Sequence, residues 1–149
     1  MTRAGVLTGT PLGRAALLLV GADVAHALDH ARQGRNLAAE VYTVGIAGWI
    51  ALAVLLVLVA RRHRLAAGYA GAVGLAVAVG FVAVHLAPHW SAVSDPYSAW
   101  DPDALSWALV ALPPLAGLNL VAQAARARSR TRRSPPGPGR AARASSARA

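Results

Sequence analysis

Apolar residues in this chain gather into four long, nearly unbroken runs, separated by short polar segments. The runs cover about residues 12–31, 41–60, 65–87 and 104–125. Each is close to the ~20 residues a helix needs to cross ~30 Å of hydrocarbon. Runs of this length are too long for barrel strands, and a helix satisfies its own backbone groups in lipid. The pattern therefore predicts an all-α, polytopic membrane protein. Residues 1–125 form an antiparallel four-transmembrane-helix bundle, and residues 126–149, rich in Arg, Pro and Ser, form a disordered tail with little to bury.

Arginine placement orients the bundle. All fifteen basic residues are arginine. With both termini inside, Arg3, Arg14, Arg61, Arg62, Arg64 and the eight tail arginines share one side, and only Arg32 and Arg35 lie outside. That asymmetry is a strong positive-inside signal. The acidic residues mirror it, with Asp23, Asp29, Glu40, Asp95, Asp101 and Asp103 all in the outer half. The expected location is a bacterial cytoplasmic (inner) membrane, multi-pass, with both termini cytoplasmic. Arg3, Arg14 and the run from Ala15 to Val20 ahead of Ala25-His26-Ala27 loosely mimic a signal peptide. Asp23 interrupts its apolar region, so the first span is read as retained.

Local signals refine the spans. Asp101-Pro102 reads as an N-cap and first helical position for span 4. Trp90, Tyr97, Trp100 and Trp107 are expected in the headgroup layer at that end. Pro113-Pro114 predicts a kink in span 4. Gly45, Gly48, Gly68, Gly71, Gly74 and Gly80 are small residues of the kind that let helix backbones approach closely.

Composition removes several classes of function. The chain has 149 residues, 56% hydrophobic and 14% charged, with no cysteine and a single methionine, Met1. Thiolate metal sites, iron–sulfur clusters and c-type haem attachment are excluded. Signatures of hydrolases and nucleotide-binding proteins are absent. The net charge of +9 belongs largely to the tail, which points to anionic lipid headgroups as partners, with no nucleic acid expected. A homo-oligomer is compatible with the pattern.

The chemistry lies in the histidines. On span 1, Asp23, His26 and His30 fall within a ~60° arc, which Asp29 extends to ~120°. Leu17, Val20, Val24 and Leu28 take the opposite face. His26 and His30 stand at i, i+4, a spacing that lets two imidazoles reach one metal. His85 and His89 end span 3, with Pro88 placing His89 on the loop. Spans 1 and 3 run the same way, so these four histidines can share one layer. The expected site is a metal centre of His26, His30, His85, His89 and Asp23, holding Zn²⁺ or another divalent transition metal. Asp29, Glu40 and Asp103 would stand behind it, orienting the imidazoles. Haem b between spans 1 and 3 is the alternative cofactor. Proton-coupled transport of a small solute, centred on Asp23, and a cofactor-free membrane scaffold are the alternative roles. His63, between arginines in the inner loop, is expected to be a solvated topology residue.

Overall fold

The computed structural model describes residues 2–34, 38–99 and 101–133. Arg35, Trp100 and the tail beyond residue 133 lie outside the described residues. All regular structure within them is helical: α1 (Arg3–Gly9), α2 (Pro11–Arg32), α3 (Ala39–Ala60), α4 (Ala66–Phe81) and α5 (Ala104–Arg133), with a π-helical turn at Val82–Leu86 and a 3₁₀ turn at Tyr97–Ala99. Four helices are long and apolar enough to cross a membrane, the third being α4 continued through the π turn. Only 17% to 28% of the most apolar stretch of each is buried within the protein. Apolar surface left open on that scale calls for a lipid surrounding rather than water.

Helix boundaries follow local chemistry. α1 is a short element that periodicity does not announce; Thr2 caps it by accepting the Gly5 N–H at 3.2 Å. Thr10 then ends α1 and starts α2, its hydroxyl accepting the Gly13 N–H at 3.0 Å while donating to the Val6 carbonyl at 2.9 Å. Pro11 follows at the first helical position, where a missing N–H costs nothing. α5 runs on through Pro113 and Pro114, as neighbouring helices and local adjustment permit in membrane spans.

Two expectations are corrected here. α5 reaches Arg133, so Arg126–Arg133 belongs to its last two turns rather than to a disordered tail; most of the run is Arg, a good helix former. Its N-cap is Asp103, whose carboxylate accepts the Ser106 N–H at 2.8 Å, and not Asp101. Asp103 stands three residues ahead of the donor, the reach an N-cap needs.

The core is built from small residues. Ala15, Ala16 and Leu19 of α2, Leu52, Leu55 and Val59 of α3, Ala66, Ala70 and Val73 of α4, and Leu120 and Ala124 of α5 form one buried cluster. α5 packs most extensively, on α4 and then on α2. Close approach occurs at Gly74 and Gly117: a Cβ on either would lie 2.6 Å from the other's carbonyl oxygen. Gly71 meets Ala124 and Gly68 meets Arg128, so α4 and α5 run antiparallel. Gly45, Gly48 and Gly80 face open space; the packing role expected of them is not theirs.

Candidate metal centre

α2 delivers two imidazoles one turn apart onto its buried face. His26 and His30 are 5% and 7% exposed, whereas Leu28 on the opposite face is 65% exposed. The i, i+4 spacing stacks one ring above the other. Their Nε2 atoms are 3.1 Å apart, and the rings meet edge to face at 4.6 Å between centroids.

The third imidazole arrives by a different route. Pro88 forces Ala87 out of helical geometry, and Ala87 is extended (φ −72°, ψ 152°). Its N–H donates to the Val82 carbonyl at 2.9 Å, closing the wide π turn. Such turns recur at functional sites, where they re-aim a side chain. His85 sits within it, 6% exposed. The following loop folds back, with the Asp95 N–H donating to the Val84 carbonyl at 2.9 Å. Trp90 helps to pin the loop, its indole N–H donating to the Ala83 carbonyl at 2.7 Å.

This return places the Asp95 carbonyl oxygen 3.1 Å from His85 Nδ1, with the Asp95 carboxylate 3.9 Å from the same nitrogen. A carbonyl only accepts, so Nδ1 carries the proton and Nε2 keeps its lone pair. Metal-ligating histidines are held in the same way.

One nitrogen from each of His26, His30 and His85 lies within 4.8 Å of the others. Aromatic rings wall the group. Phe81 stands 4.9 Å from His26 and 5.3 Å from His85. Tyr97 is fully buried, 5.5 Å from both His85 and Trp107. Tyr97 thus leaves the headgroup layer where its sequence neighbours suggested it would sit. The 3₁₀ turn tucks it beneath the loop.

The remaining expected residues stand elsewhere. His89 is exposed and outside the group, carried outward by the extended backbone at Ala87 and Pro88. Asp23, one turn further along α2 toward its start, is half-buried and makes no hydrogen bond or ion pair with any described residue. Glu40 is exposed in the first turn of α3. Asp29 is buried, at 2% exposure, but its carboxylate is taken by Arg32 at 2.8 Å and by the Gln33 amide. Asp103 is exposed and binds Arg32 at 3.0 Å.

Those last contacts form a polar strap that sequence reasoning did not foresee. Arg32 and Gln33, at the end of α2, both reach the Ser106 hydroxyl on α5, at 3.0 and 2.7 Å. Ser106 in turn donates from its backbone N–H and its hydroxyl to Asp103. These two bonds, with Arg32 adding its charge, hold the Asp103 carboxyl below the usual carboxylate range. The signal for Ser106 was present in Asp103-x-x-Ser106, a cap spacing. The signal for Asp95 lay in the stretch from His85 to Tyr97, whose crowding of His, Trp, Asp and Pro is unlike the rest of the chain.

Three buried imidazoles, close enough together to hold a metal ion, thus stand beside Phe81 and Tyr97. Imidazoles of this kind suit Zn, Cu, Fe or Ni in the divalent state. Comparison with protein-family models, with curated proteins and with solved structures gave no match, so the geometry alone carries the assignment.

Proposed function

We propose that the chain is a multi-pass membrane protein that holds one divalent transition-metal ion at His26, His30 and His85. The observation that carries this is the convergence of three buried ring nitrogens within 4.8 Å, from two separate helices. Tetrahedral zinc with bonds of ~2.05 Å spaces its ligands ~3.3 Å apart. The His26–His30 pair, at 3.1 Å, already matches that spacing. His85 has to close by at most ~1.5 Å, which a small ring rotation supplies.

The set favours a single ion over haem. His26 and His85 touch edge to face at 4.9 Å between centroids, and a porphyrin between them would have to part the rings and displace Phe81 or Tyr97. The metal would act as a Lewis acid or hold the helix ends together. The chain's own residues orient the imidazoles, Asp95 through His85, and exclude water through Phe81 and Tyr97.

The arginine distribution supports an orientation with both termini cytoplasmic and the histidines near the opposite face. A bacterial cytoplasmic membrane and an antiparallel four-helix bundle belong to the same proposal, the second supported by the antiparallel contact of α4 and α5. A second reading rests on Asp23, whose half-buried carboxyl has no described partner. It is placed to take up and release a proton in solute transport, and D23N would then abolish pH-dependent uptake.

The deciding experiment is elemental analysis of purified protein beside the H26A/H30A and H85A variants. About one equivalent of metal in the parent and none in either variant is expected. Equal metal content in all three, or none in a parent dialysed against zinc, would refute the site.

A further inference from the structure

α5 turns a second face away from the bundle. Its inward side is marked by Ser106, Val110, Leu120 and Ala124, all buried. On the outward side Ala108, Leu112, Leu115, Asn119 and Ala122 follow one another at steps of four, three, four and three residues. That alternation averages ~3.5 residues, the repeat that keeps one stripe of a helix against a partner helix along its length. Leu112 and Leu115 are 43% and 61% exposed, and Ala108 and Ala122 are exposed as well.

Four of these side chains are apolar and ask nothing of lipid. Asn119 is different. It stands ~10 Å inside Arg126 at helical rise, within the length of α5 that is apolar enough to cross a membrane. The Gln123 amide, one turn on, donates to its Oδ1 at 3.3 Å. The Asn119 amide nitrogen, itself a donor of two hydrogens, donates to no described residue, although the side chain is only half-buried. Hydrocarbon offers no water to take up that donor, and an amide left unsatisfied there is costly.

We propose that this face of α5 packs against the same face of a second copy of the chain, with the two Asn119 amides hydrogen-bonded to each other. A carboxamide both donates and accepts, so it is its own complement. Two copies inserted with one orientation are related by a two-fold axis along the membrane normal, which sets each residue of the stripe opposite itself at equal depth. The polar position in the stripe thereby meets its match. A lipid chain covers Leu112 and Leu115 equally well but leaves Asn119 unsatisfied. A single asparagine in such a seam also fixes register and strand number. Arg126 continues the spacing and ends the contact, because like charges would meet there; its long side chain reaches the headgroup layer instead. The homo-oligomer that the sequence allows thereby acquires a face.

The test uses the full-length protein in phosphatidylcholine vesicles. The chain has no cysteine, so a single introduced thiol reports on its own surroundings. Leu115→Cys and Ala122→Cys should oxidise to linked dimers about ten-fold faster than Val54→Cys on α3 or Leu75→Cys on α4, whose thiols stand too far from their counterparts to bridge. Val54 and Leu75 are 41% and 55% exposed, so access does not separate the two sets. Asn119→Leu should raise the dissociation constant of the dimer roughly ten-fold, for two interhelical hydrogen bonds of average strength in lipid. Energy transfer between labelled copies, followed as lipid is added, reads that constant. Asn119→Gln keeps the carboxamide and should stay nearer the parent than the leucine variant does. Equal oxidation at all four thiols, faster oxidation on α3 or α4, or a parent that stays monomeric at every protein-to-lipid ratio would overturn the interface. A leucine variant that dimerises as tightly as the parent would overturn the amide's part in it.

Discussion

Alanine at Gly74 tests the closest helix contact in the fold. Its Cβ would sit 2.6 Å from the Gly117 carbonyl oxygen and 3.1 Å from Val121 Cγ2. An ordinary carbon–oxygen approach is ~3.3–3.6 Å, so α4 and α5 must part by roughly 0.7–1 Å. Neither obstacle at the carbonyl is a flexible chain end that could swing aside. Overpacking of this kind costs about 1–3 kcal/mol. Gly117→Ala meets the Gly74 carbonyl at the same 2.6 Å and should cost about as much. One separation relieves both clashes. The double variant should therefore lose only about 2–3 kcal/mol, well short of the sum, and show a coupling of 1 kcal/mol or more between neighbouring sites. Gly48→Ala, where a Cβ meets nothing within 4 Å, is the control and should gain up to ~1 kcal/mol from helix propensity. Unfolding in detergent, followed by circular dichroism, reads all four proteins. A Gly74→Ala variant as stable as Gly48→Ala, or strict additivity in the double, would refute the crossing.

The polar strap yields further predictions. Removing Arg32 strands Asp29, whose side chain has no exposed surface; because Arg32 itself is 45% exposed, R32A should lower stability by less than the loss of a fully buried pair would. D29N in the R32A background should recover most of that loss in the same unfolding assay. Asp103 has a depressed carboxyl, so its cap contributes fully above the unfolded value of ~3.9 and is lost as pH falls through the lower folded value. An acid titration of D103N should lack that step, and an unchanged titration would clear Asp103 of the role. Tyr97→Ala opens a hole against His85 and should cost about 3–5 kcal/mol. Zinc affinity should fall 10- to 100-fold with it, as for lost outer partners, which competition with a fluorescent chelator would measure.

Much of the architecture could be read from residue order, and the reason is lipid. Four apolar runs without internal charge in two of them have few alternatives to spanning helices. The i, i+4 pair His26 and His30, with His85 at the end of a span running the same way, was legible for the same reason. What escaped depends on neighbours rather than periodicity. Periodicity gives the face on which Asp29 lies, but not that Arg32 and Gln33 curl back to claim it. Gly48 was read as a packing glycine and Gly117 was passed over, because a glycine's partner sits on another helix. Tyr97 read as an interfacial aromatic until the loop hydrogen bond from Asp95 to Val84 turned it inward. Arg126–Arg133 read as tail because charge was weighed above helix propensity.

The metal reading can be put to the imidazole protons themselves. His26 and His30 share a hydrogen bond between Nε2 atoms at 3.1 Å, so two neutral rings must adopt opposite tautomers. The Nδ1 atoms of both rings are buried and make no hydrogen bond with a described residue. A stranded N–H there costs ~1–3 kcal/mol, whereas a stranded lone pair costs less. Without metal, one ring therefore carries its proton on Nε2 and donates, and the other is protonated on Nδ1. Binding through both Nε2 atoms turns the donating ring to its Nδ1–H form and incurs that ~1–3 kcal/mol, small beside the ~10–16 kcal/mol of structural zinc sites. Nitrogen-15 spectra of histidine-labelled protein should show mixed tautomers in chelator-treated samples and a single Nδ1–H form for all three rings with zinc. Mixed tautomers that persist unchanged at saturating zinc would mean that the pair is a packing contact and holds no ion.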